Sequence, residues 1–280
     1  MHELDQIQLR RAYDRAASAY DEADFFGAEI RGRLFERLDY ISLQPGTVLD
    51  LGAGTGAAAR QLQTHFADAL IIELDGSEAM LANSDKSGTE VCADSHRLPL
   101  ADASIDIIIS NLMLPACAVP EMVFSEARRV LRNPGLFLFS TLGPDTLKEI
   151  RRAWSRIDDA PHVHTFADMH NVGDALVKAG FREPVMDTEI LTVTYADIDK
   201  LIADLRAVAG TNYAAQRRRG LMSPRHWARF IDELYATRDS AGRFSVSLEV
   251  VTGQAWTGNP EIGVPLRDGE ARFPLSQLKY

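Results

Sequence analysis

The sequence predicts an α/β fold built on a mostly parallel sheet with helices on both faces. From residue 47 to residue 142, short apolar segments alternate with segments whose apolar residues recur at helical spacing. Strands that alternate with helices form βαβ units, and such units build parallel sheets. Glycines follow the first of these strands directly, and an acidic residue ends each of the next two. Because ligands of such sheets bind at the carboxyl ends of the strands, the pattern also predicts a ligand site.

The individual elements follow in chain order. Residues 4–40 have helical spacing and end at the turn Pro45-Gly46. Core strands are predicted at 47–52, 69–75, 90–94, 105–111 and 135–142, with helices at 57–66, 77–85 and 120–132. Beyond residue 144, helices are predicted at 146–154, 174–181, 197–210 and 223–238, and strands at 184–195 and 243–256. The tail from residue 258 is predicted to be a loop with one short strand.

This organisation indicates one domain across residues 1–280. It comprises an N-terminal helical region at 1–45, a ligand-binding core at 46–142, a segment at 143–240 with a helical insertion, and a last strand with its tail at 241–280. The change of rhythm after the fifth strand is what marks the insertion.

Composition narrows the classes of function. Hydrophobic residues make up 46% of the 280 residues, enough for a sizeable core. The net charge of −10 argues against a general nucleic-acid binder, because phosphate contacts need a basic face. Cys92 and Cys117 lack a CxxC spacing and are interpreted as reduced thiols of a cytoplasmic protein. The N-terminus lacks the apolar core of a signal peptide, and no apolar segment approaches the ~20 residues that span a bilayer. Nothing in the sequence predicts an oligomeric state.

The glycine loop after the first strand is the most specific motif. Gly52, Gly54 and Gly56 allow a tight turn and let a ligand approach the backbone closely. The helix that follows offers free N–H groups to the ligand. Gly52, Gly54 and Ala57 also satisfy G-x-G-x-x-G/A, so the loop by itself is equally compatible with a dinucleotide.

Aspartates at the ends of three successive predicted strands favour another ligand. Asp50 precedes the loop and can meet an ammonium group, Asp75 ends the second strand and can accept both ribose hydroxyls, and Asp94 can accept from an adenine amine. Three carboxylates suit a sulfonium, an amino acid and an adenosine but repel a diphosphate, so we predict S-adenosylmethionine. In the alternative interpretation, Asp75 caps a helix and Asp94 belongs to a turn. Glu73 lies on the same side of this strand as Asp75. We predict Asp75 as the acceptor of the ribose hydroxyls because Asp75 ends the strand.

The motif series resembles that of the class I methyltransferases in order and spacing. It consists of VLDLGAGTG, LDGSEAML, CADSHRLPLADASIDIIISNL and ARRVLRNPGLFLFS, and it covers about residues 47–140. The resemblance implies a Rossmann-like fold with a seven-stranded sheet, S-adenosylmethionine as cofactor, and a helical lid within 143–240 over the methyl end of the cofactor. The cofactor-binding residues that it implies are Asp50, Gly52, Gly54, Gly56, Asp75, Ser77, Met80, Asp94, Ser95 and Asn111.

A longer resemblance covers nearly the whole chain. Its segments are RRAYDRAASAYDEA, RLFERLDYISLQP, STLGPDTLKEIRRAW, HVHTFADMHNVGDALVKAGFREPVMDTEILTVTY and Asn212…Arg217-x-x-Gly220-Leu221. They look like the malonyl-acyl-carrier-protein O-methyltransferase family of biotin synthesis. The resemblance implies methyl transfer to the free carboxylate of a malonyl group, with the malonyl acyl-carrier protein as partner. Since a carboxylate is already a nucleophile, the reaction needs no strong general base.

Two catalytic residues follow from the same resemblance. Tyr20 is expected to close over the cofactor or to line the substrate pocket, and the alternative is a packing tyrosine on an amphipathic helix. Arg217 is expected to grip the substrate carboxylate in a fork, and the alternative is a solvated basic loop. The cluster of Arg217, Arg218, Arg219, Arg225 and Arg229, here called the basic segment, is expected to receive the acidic carrier protein.

The chain departs from the family at some positions. Residues 114–117 are Leu-Pro-Ala-Cys where the family usually has Leu-Gln-Trp-Cys, Asn133-Pro134-Gly135 replaces Pro-Gly-Gly, and residues 75–77 are Asp-Gly-Ser instead of Asp-Leu-Ser. A mitochondrial complex I assembly factor, described as an arginine hydroxylase on this fold, shares the long pattern more loosely. The lost Gln-Trp favours such a hydroxylase or a non-catalytic assembly protein, whereas the glycine loop and residues 212–221 favour the methyltransferase that we predict.

A cluster of possible metal ligands lies in the insertion. His162, His164, Asp168 and His170 fall within a short polar stretch, and two histidines with one carboxylate bind iron in oxygenases. Histidines in polar segments are commonly unligated, so we predict that these residues shape the insertion and bind no metal.

Overall fold

One mixed sheet organises residues 4–258, which the computed structural model describes; the predicted tail strand lies outside these residues. The strands are β1 (Thr47–Leu51), β2 (Leu70–Asp75), β3 (Thr89–Cys92), β4 (Ile105–Ser110), β5 (Leu131–Leu142), β6 (Arg182–Tyr195) and β7 (Phe244–Trp256). Within the described residues they form a seven-stranded sheet in the order β3-β2-β1-β4-β5-β7-β6. β1 to β5 pair in parallel, and β7 runs antiparallel to β5 and β6. The predicted sheet is confirmed.

The helices agree with the prediction apart from some of their ends. They are α1 (Gln6–Ala16), α2 (Tyr20–Ala23), α3 (Phe25–Leu38), α4 (Ala57–His65), α5 (Glu78–Ala82), α6 (Pro120–Val130), α7 (Lys148–Ser155), α8 (Met169–Lys178), α9 (Ile198–Ala207) and α10 (Pro224–Tyr235). α6 ends before the predicted residue 132, because Leu131 already pairs with Ile105 of β4. Across residues 4–258, every helix is too short or too polar to cross a membrane.

The N-terminal helical region is divided into successive helices. A 3₁₀ turn at Ala17–Ala19 separates α1 from α2. Asp24, with φ −79° and ψ 38°, separates α2 from α3. Gly27 lets the Asp24 side chain fold back against α3, since a Cβ atom at Gly27 would lie 2.1 Å from Asp24 Oδ1.

Apolar side chains alternate along the strands and pack in two layers. On one face of the sheet, Leu49 and Phe137 pack with buried side chains of α6 and α8. On the other face, Val48 and Ile107 pack with α3 and α4. Burying a side chain of this size contributes roughly 1.5–3 kcal/mol, so the two layers hold the strand ends in fixed positions.

The insertion packs on an extension of the sheet at the carboxyl ends of its parallel strands. β5 and β7 pair as far as Leu142 and Val250, whereas β6 and β7 continue together to Tyr195 and Phe244. α7, α9 and α10 pack on this extension through a separate apolar cluster.

The insertion also holds the N-terminal helix. Ala209 and Tyr213, which follow α9, pack against Leu9 and Ala12 of α1. The backbone N–H of Asp5 donates to the carbonyl oxygen of Tyr213 at 2.8 Å. The start of the chain is therefore fixed by a segment about 200 residues further on, which closes a loop at a modest entropic cost.

Candidate active site

A cavity of about 620 Å³ opens at the carboxyl ends of β1, β2 and β4. Its lining includes the glycine loop between β1 and α4 and side chains of α1, α2 and α3. Parallel α/β sheets bind ligands at this position. Most of the predicted site residues line the cavity, namely Tyr20, Asp50, Gly52, Gly54, Asp75, Ser77, Met80, Asp94, Ser95 and Asn111.

The glycine loop has a backbone that favours glycine at each predicted position. The φ angles of Gly52, Gly54 and Gly56 are 83°, 57° and 78°, in the left-handed region. A Cβ atom at Gly52 would lie 2.4 Å from Met113 Cγ, and one at Gly56 would lie 2.3 Å from Ser84 Oγ. At Gly54 a Cβ atom would meet no other atom of the described residues within 4 Å. Gly54 therefore faces open space in the cavity, whereas Gly56 is outside its lining and supports the loop from behind.

Asp75 ties this loop to the end of β2. Its Oδ2 accepts a hydrogen bond from the backbone N–H of Gly54 at 2.9 Å, and its Oδ1 accepts one from the N–H of Ser77 at 2.8 Å. Burial raises the pKa of Asp75, and the bonds from Ser77 and Gly54 partly oppose the increase. Each carboxylate oxygen keeps further lone pairs for ligand hydroxyls.

Asp50 lines the cavity and has a buried carboxyl oxygen that forms no hydrogen bond within residues 4–258. Its residue is 1% exposed, and its Oδ2 has no hydrogen-bond partner among the described residues. Burial, with the negative charges of Glu73 and Asp75, raises the pKa of Asp50 to about 7. A buried carboxyl without a partner is costly, so this group is suited to a cationic ligand.

Asp94 lies at the more open end of the cavity. Its side chain is exposed, and its Oδ1 is 2.9 Å from the backbone nitrogen and 2.7 Å from Nδ1 of His96. Partial burial raises its pKa, but the hydrogen bonds from His96 outweigh that effect and hold the pKa below its ordinary value. Ser95 lies beside it, with its Oγ 3.7 Å from Cys117 Sγ. Burial raises the pKa of Cys117 to about 12, so this cysteine is a neutral thiol.

The remaining cofactor residues are held by their own hydrogen bonds. Ser77 Oγ accepts from the N–H of Met80, which caps α5, and donates to Asp14 Oδ1 at 2.6 Å. Asn111 donates to the carbonyl oxygen of Gly27 at 2.9 Å and accepts from Ser140 Oγ at 2.9 Å. Asn111 thus joins β4 to both α3 and β5.

The N-terminal helices complete the wall, and apart from the predicted Tyr20 their contribution was missed in the sequence. Tyr20, Asp24, Gly27 and Arg31 all line the cavity. Arg31 Nη1 pairs with Asp24 Oδ2 at 3.2 Å. Burial raises the pKa of Tyr20 well above 10, so the tyrosine is a neutral phenol at physiological pH. Their spacing of three and four positions is helical, but the sequence does not show that this side of the helices lies over the cavity.

Arg217 is located away from this cavity. Its Nη2 pairs with Asp5 Oδ2 at 3.1 Å, and its Nη1 donates to the carbonyl oxygen of Ala214 at 3.0 Å. The side chain is 19% exposed, so Arg217 is not the solvated loop residue of the alternative interpretation. A grip on the substrate carboxylate stays a prediction, and it would require the ion pair with Asp5 to open.

The described insertion contributes none of the residues that line the cavity, which is covered by α1, α2 and α3. The insertion instead supports α1 from outside, through Tyr213. A lid over the methyl end thus stays a prediction. Ala116, where the family usually has tryptophan, lies under α1, and its carbonyl oxygen accepts a hydrogen bond from Gln6 Nε2 at 3.1 Å. The small side chain leaves the room that α1 occupies.

The histidine cluster is dispersed. His162 Nε2 lies 2.8 Å from Asp158 Oδ1, and its ring stacks on Trp154 with centroids 3.8 Å apart. His164 Nε2 accepts a hydrogen bond from the N–H of Tyr213. Asp168 caps α8 through the N–H groups of His170 and Asn171, which explains why α8 begins before the predicted residue 174. Over residues 4–258, no group of three histidine, cysteine or acidic side chains is arranged to hold a metal ion.

Known proteins with this fold define the class. Residues 49–139 match the family described as "Methyltransferase domain". The YcgJ protein of Bacillus subtilis has a TM-score of 0.60 at 16% identity and covers 80% of this chain and 97% of its own. A putative methyltransferase of Bacillus halodurans has a TM-score of 0.57 at 15% identity, with coverage of 80% and 98%. The protein therefore has the class I methyltransferase fold that the motif series predicts.

Sequence relatives narrow the class to one family. A malonyl-[acyl-carrier protein] O-methyltransferase of Gallionella capsiferriformans is 42% identical over 98% of this chain and 97% of its own. The enzyme of the same name from Laribacter hongkongensis is 43% identical, over 90% and 89%. The chain belongs to the malonyl-[acyl-carrier protein] O-methyltransferase family. Membership supports the predicted enzyme class and cofactor, S-adenosylmethionine, and does not favour the hydroxylase alternative.

Proposed function

We propose that the protein transfers the methyl group of S-adenosylmethionine to the free carboxylate of a malonyl thioester carried by an acyl-carrier protein. The observation that carries the proposal is near-full-length similarity to enzymes named for this reaction. The product is a methyl ester, whose neutral end suits it to enzymes that extend apolar acyl chains. We infer that the reaction serves biotin synthesis in the cytoplasm, where the free thiols of Cys92 and Cys117 stay reduced.

The residues of the cavity fit the cofactor. The unpartnered Oδ2 of Asp50 suits the ammonium of the amino-acid end, and the free lone pairs of Asp75 suit the ribose hydroxyls. Open space at Gly54 lets a ligand approach the backbone. Asp24, Asp50, Asp75 and Asp94 all line the cavity, so its wall attracts a sulfonium cation.

The chemistry asks little of the protein beyond orientation and exclusion of water. S-adenosylmethionine supplies the electrophilic methyl group, and the malonyl carboxylate is ionised at neutral pH. The chain must hold the two in line and keep water out, which is the contribution expected from Tyr20, Asn111 and the N-terminal helices. As the neutral phenol, Tyr20 can donate a hydrogen bond but does not remove a proton.

The carrier protein is expected to dock on the basic segment. Arg218, Arg219, Arg225 and Arg229 are exposed in a chain whose net charge is −10. Asp5 lies 3.1 Å from Arg217 and 3.9 Å from Arg219, so it already offsets part of this positive charge. No role in nucleic-acid binding is proposed.

Radiolabel transfer tests the function directly. S-adenosylmethionine labelled in its methyl group is incubated with malonyl-carrier protein, and base-labile label in the carrier is counted. We expect label on the malonyl carrier and none on an acetyl carrier, which has no free carboxylate. Label on neither carrier, or equal label on both, would contradict the proposal.

A further inference from the structure

Helix α1 lies between the cofactor cavity and a second cavity on its other side. Side chains of α1 line the first, which has a volume of about 620 Å³. The second, of about 700 Å³, lies between α1 and α9. Both helices contribute alanines to it, namely Ala12, Ala16, Ala203 and Ala207. Because such small side chains bury little apolar area, α1 has room to move towards α9 at a small cost in packing.

Contacts at its first residues tie α1 to the insertion. Arg217 Nη2 pairs with Asp5 Oδ2 at 3.1 Å, and each of these side chains is 19% exposed. We call this ion pair the latch. The backbone N–H of Asp5 also donates to the carbonyl oxygen of Tyr213, and Leu9 packs with Tyr213 and Ala209. In the described chain neither residue of the latch lines the cofactor cavity, so the latch acts on the cofactor through the position of α1.

Asp5 also caps α1, so the helix keeps its first turn when the latch opens. Its Oδ1 accepts a hydrogen bond from the backbone N–H of Gln8 at 3.2 Å, whereas its Oδ2 faces Arg217. The bonds from Gln8 and Arg217 hold the pKa of Asp5 below its ordinary value, so the latch is an ion pair at neutral pH.

The other end of α1 provides a fixed point for such a movement. Asp14 Oδ1 accepts a hydrogen bond from Ser77 Oγ at 2.6 Å, and the 3₁₀ turn Ala17–Ala19 follows directly. Tyr20 and Asn111 lie beyond this turn, on α2 and next to β4. The start of α1 can therefore move about the turn as an intact helix while the expected reacting end of the cavity keeps its cover.

The latch shares its arginine with the surface that is expected to receive the carrier protein. Arg217 belongs to the basic segment, and so does Arg219, whose Nη2 lies 3.9 Å from Asp5 Oδ2 and whose side chain is 71% exposed. Carboxylates of an acidic carrier that approach these arginines compete with Asp5 for them and repel its negative charge. Docking of the carrier therefore weakens the latch.

We propose that α1 is a cover that the carrier protein opens: docking on the basic segment releases Asp5 from Arg217, and the start of α1 moves towards α9, so that the cofactor can exchange. This rests on the proposed function, since the partner is the acidic carrier protein. The device links arrival of the carrier to release of S-adenosylhomocysteine, the demethylated cofactor, and to entry of the next S-adenosylmethionine.

The rate of cofactor release tests the cover. Labelled S-adenosylhomocysteine is chased from the protein with excess unlabelled ligand, without carrier and with carrier protein that bears no malonyl group. We expect the carrier to speed release from the wild type about tenfold, the factor for loss of one charge-assisted contact. Asp5→Asn keeps a capping residue and removes the charge. It should release the ligand at the fast rate without carrier, and the carrier should add little.

Two further variants complete the test. Arg217→Gln removes the same ion pair from its other side and should also release the ligand fast without carrier, so the result does not depend on the folding of one variant. Asp168→Asn makes the same change at the cap of α8, outside the lining of the described cavity. It should release the ligand as the wild type does and keep the response to the carrier.

The outcomes separate the cover from the proposed function. Slow release from both Asp5→Asn and Arg217→Gln would overturn the cover, and so would equally fast release from Asp168→Asn. A carrier that is methylated yet leaves release from the wild type unchanged would overturn its action on α1 and leave the proposed function in place. A carrier that speeds release without being methylated when it bears malonate would contradict the proposed acceptor alone. A carrier that does neither would contradict both.

Discussion

The protonation of Asp50 links the pH to cofactor binding. Burial, Glu73 and Asp75 raise its pKa to about 7, and Arg31 opposes them. An ammonium ligand requires the ionised carboxylate, so binding below this pKa must release a proton. The affinity for S-adenosylmethionine should therefore fall about tenfold for each pH unit below about 7 and level off above it. Calorimetry across this range, in buffers of different ionisation enthalpy, measures both the slope and the proton release.

Asp50→Asn is the matched variant. It should bind the cofactor more weakly at neutral pH and show little of this pH dependence, so an unchanged slope would assign the titration to another group. Because its raised pKa makes the ionised carboxyl of Asp50 destabilising above pH 3.8, the cofactor-free variant should be more stable than the wild type at about pH 8, by roughly 2–4 kcal/mol. Thermal unfolding checks this sign.

Asp75 combines a ligand role with a structural one. Asp75→Ala removes the acceptor of ligand hydroxyls and frees the N–H groups of Gly54 and Ser77. We expect S-adenosylmethionine binding to weaken by about 1–3 kcal/mol, which calorimetry measures. Asp75→Asn keeps one acceptor oxygen and should lose less. Equal losses in the two variants would contradict a role in accepting hydrogen bonds.

At the residue scale, the site residues that could be predicted are those that lie at the ends of the parallel strands. Asp50, Asp75 and Asp94 could be placed from the sequence because parallel strands end at one edge of the sheet. Arg31 was not predicted, because its position depends on how α3 packs over that edge. Arg217 pairs with Asp5, more than 200 residues earlier in the chain, and its role at the substrate stays a prediction.

Among the elements, the glycine loop offers a comparison between two neighbouring glycines. Gly54→Ala places a Cβ in the open cavity and strains only φ, so the fold should lose about 1–2 kcal/mol while cofactor affinity drops sharply. Gly52→Ala places a Cβ 2.4 Å from Met113 and should reduce stability more. Thermal unfolding and calorimetry separate the effects. If Gly54→Ala bound the cofactor as the wild type does, the ligand would not lie against this loop.

The start of α8 distinguishes a structural from a metal-binding role for Asp168. Asp168→Ala removes the cap and should lower the free energy of unfolding by about 1 kcal/mol, as measured in denaturant. His170→Ala, on an exposed side chain, should be nearly neutral. Iron in the purified protein that is lost in both variants would support the alternative metal site.

At the scale of elements, the sequence predicted which helices and strands are present, but it did not predict where the N-terminal helices break. Period-two and helical patterns identified the strands and helices of the described chain. The helical pattern over residues 4–40 did not reveal the break at Asp24, because that break depends on a contact between Asp24 and Gly27 and on packing over the cavity. Local patterns report which face is apolar, while tertiary packing decides where a helix bends.

At the scale of the molecule, the contacts that could not be predicted are those between distant parts of the sequence. The βαβ rhythm predicted the parallel sheet, but the observed order also pairs β1 with β4 and β5 with β7, which are not consecutive in the sequence. The pairing of Asp5 with Arg217, and of α1 with the segment after α9, joins the start of the described chain to a segment about 200 residues further on. It places the cover of the cavity in the N-terminal helices and its outer support in the insertion.

The basic segment carries the last prediction, which concerns the whole molecule because the chain has a net charge of −10 and the proposed carrier protein is acidic too. Association then depends on local positive charge, which is screened over ~8 Å at physiological ionic strength. Arg218→Glu with Arg219→Glu should raise the KM for malonyl-carrier protein, most at low salt, and leave cofactor affinity unchanged. Lys86→Glu with Lys178→Glu, an equal change of charge at exposed lysines elsewhere, is the control and should have little effect. A malonyl thioester without the carrier should be turned over equally by all three proteins. Unaltered turnover of the carrier substrate by the arginine variant at low salt would mean that the carrier docks elsewhere.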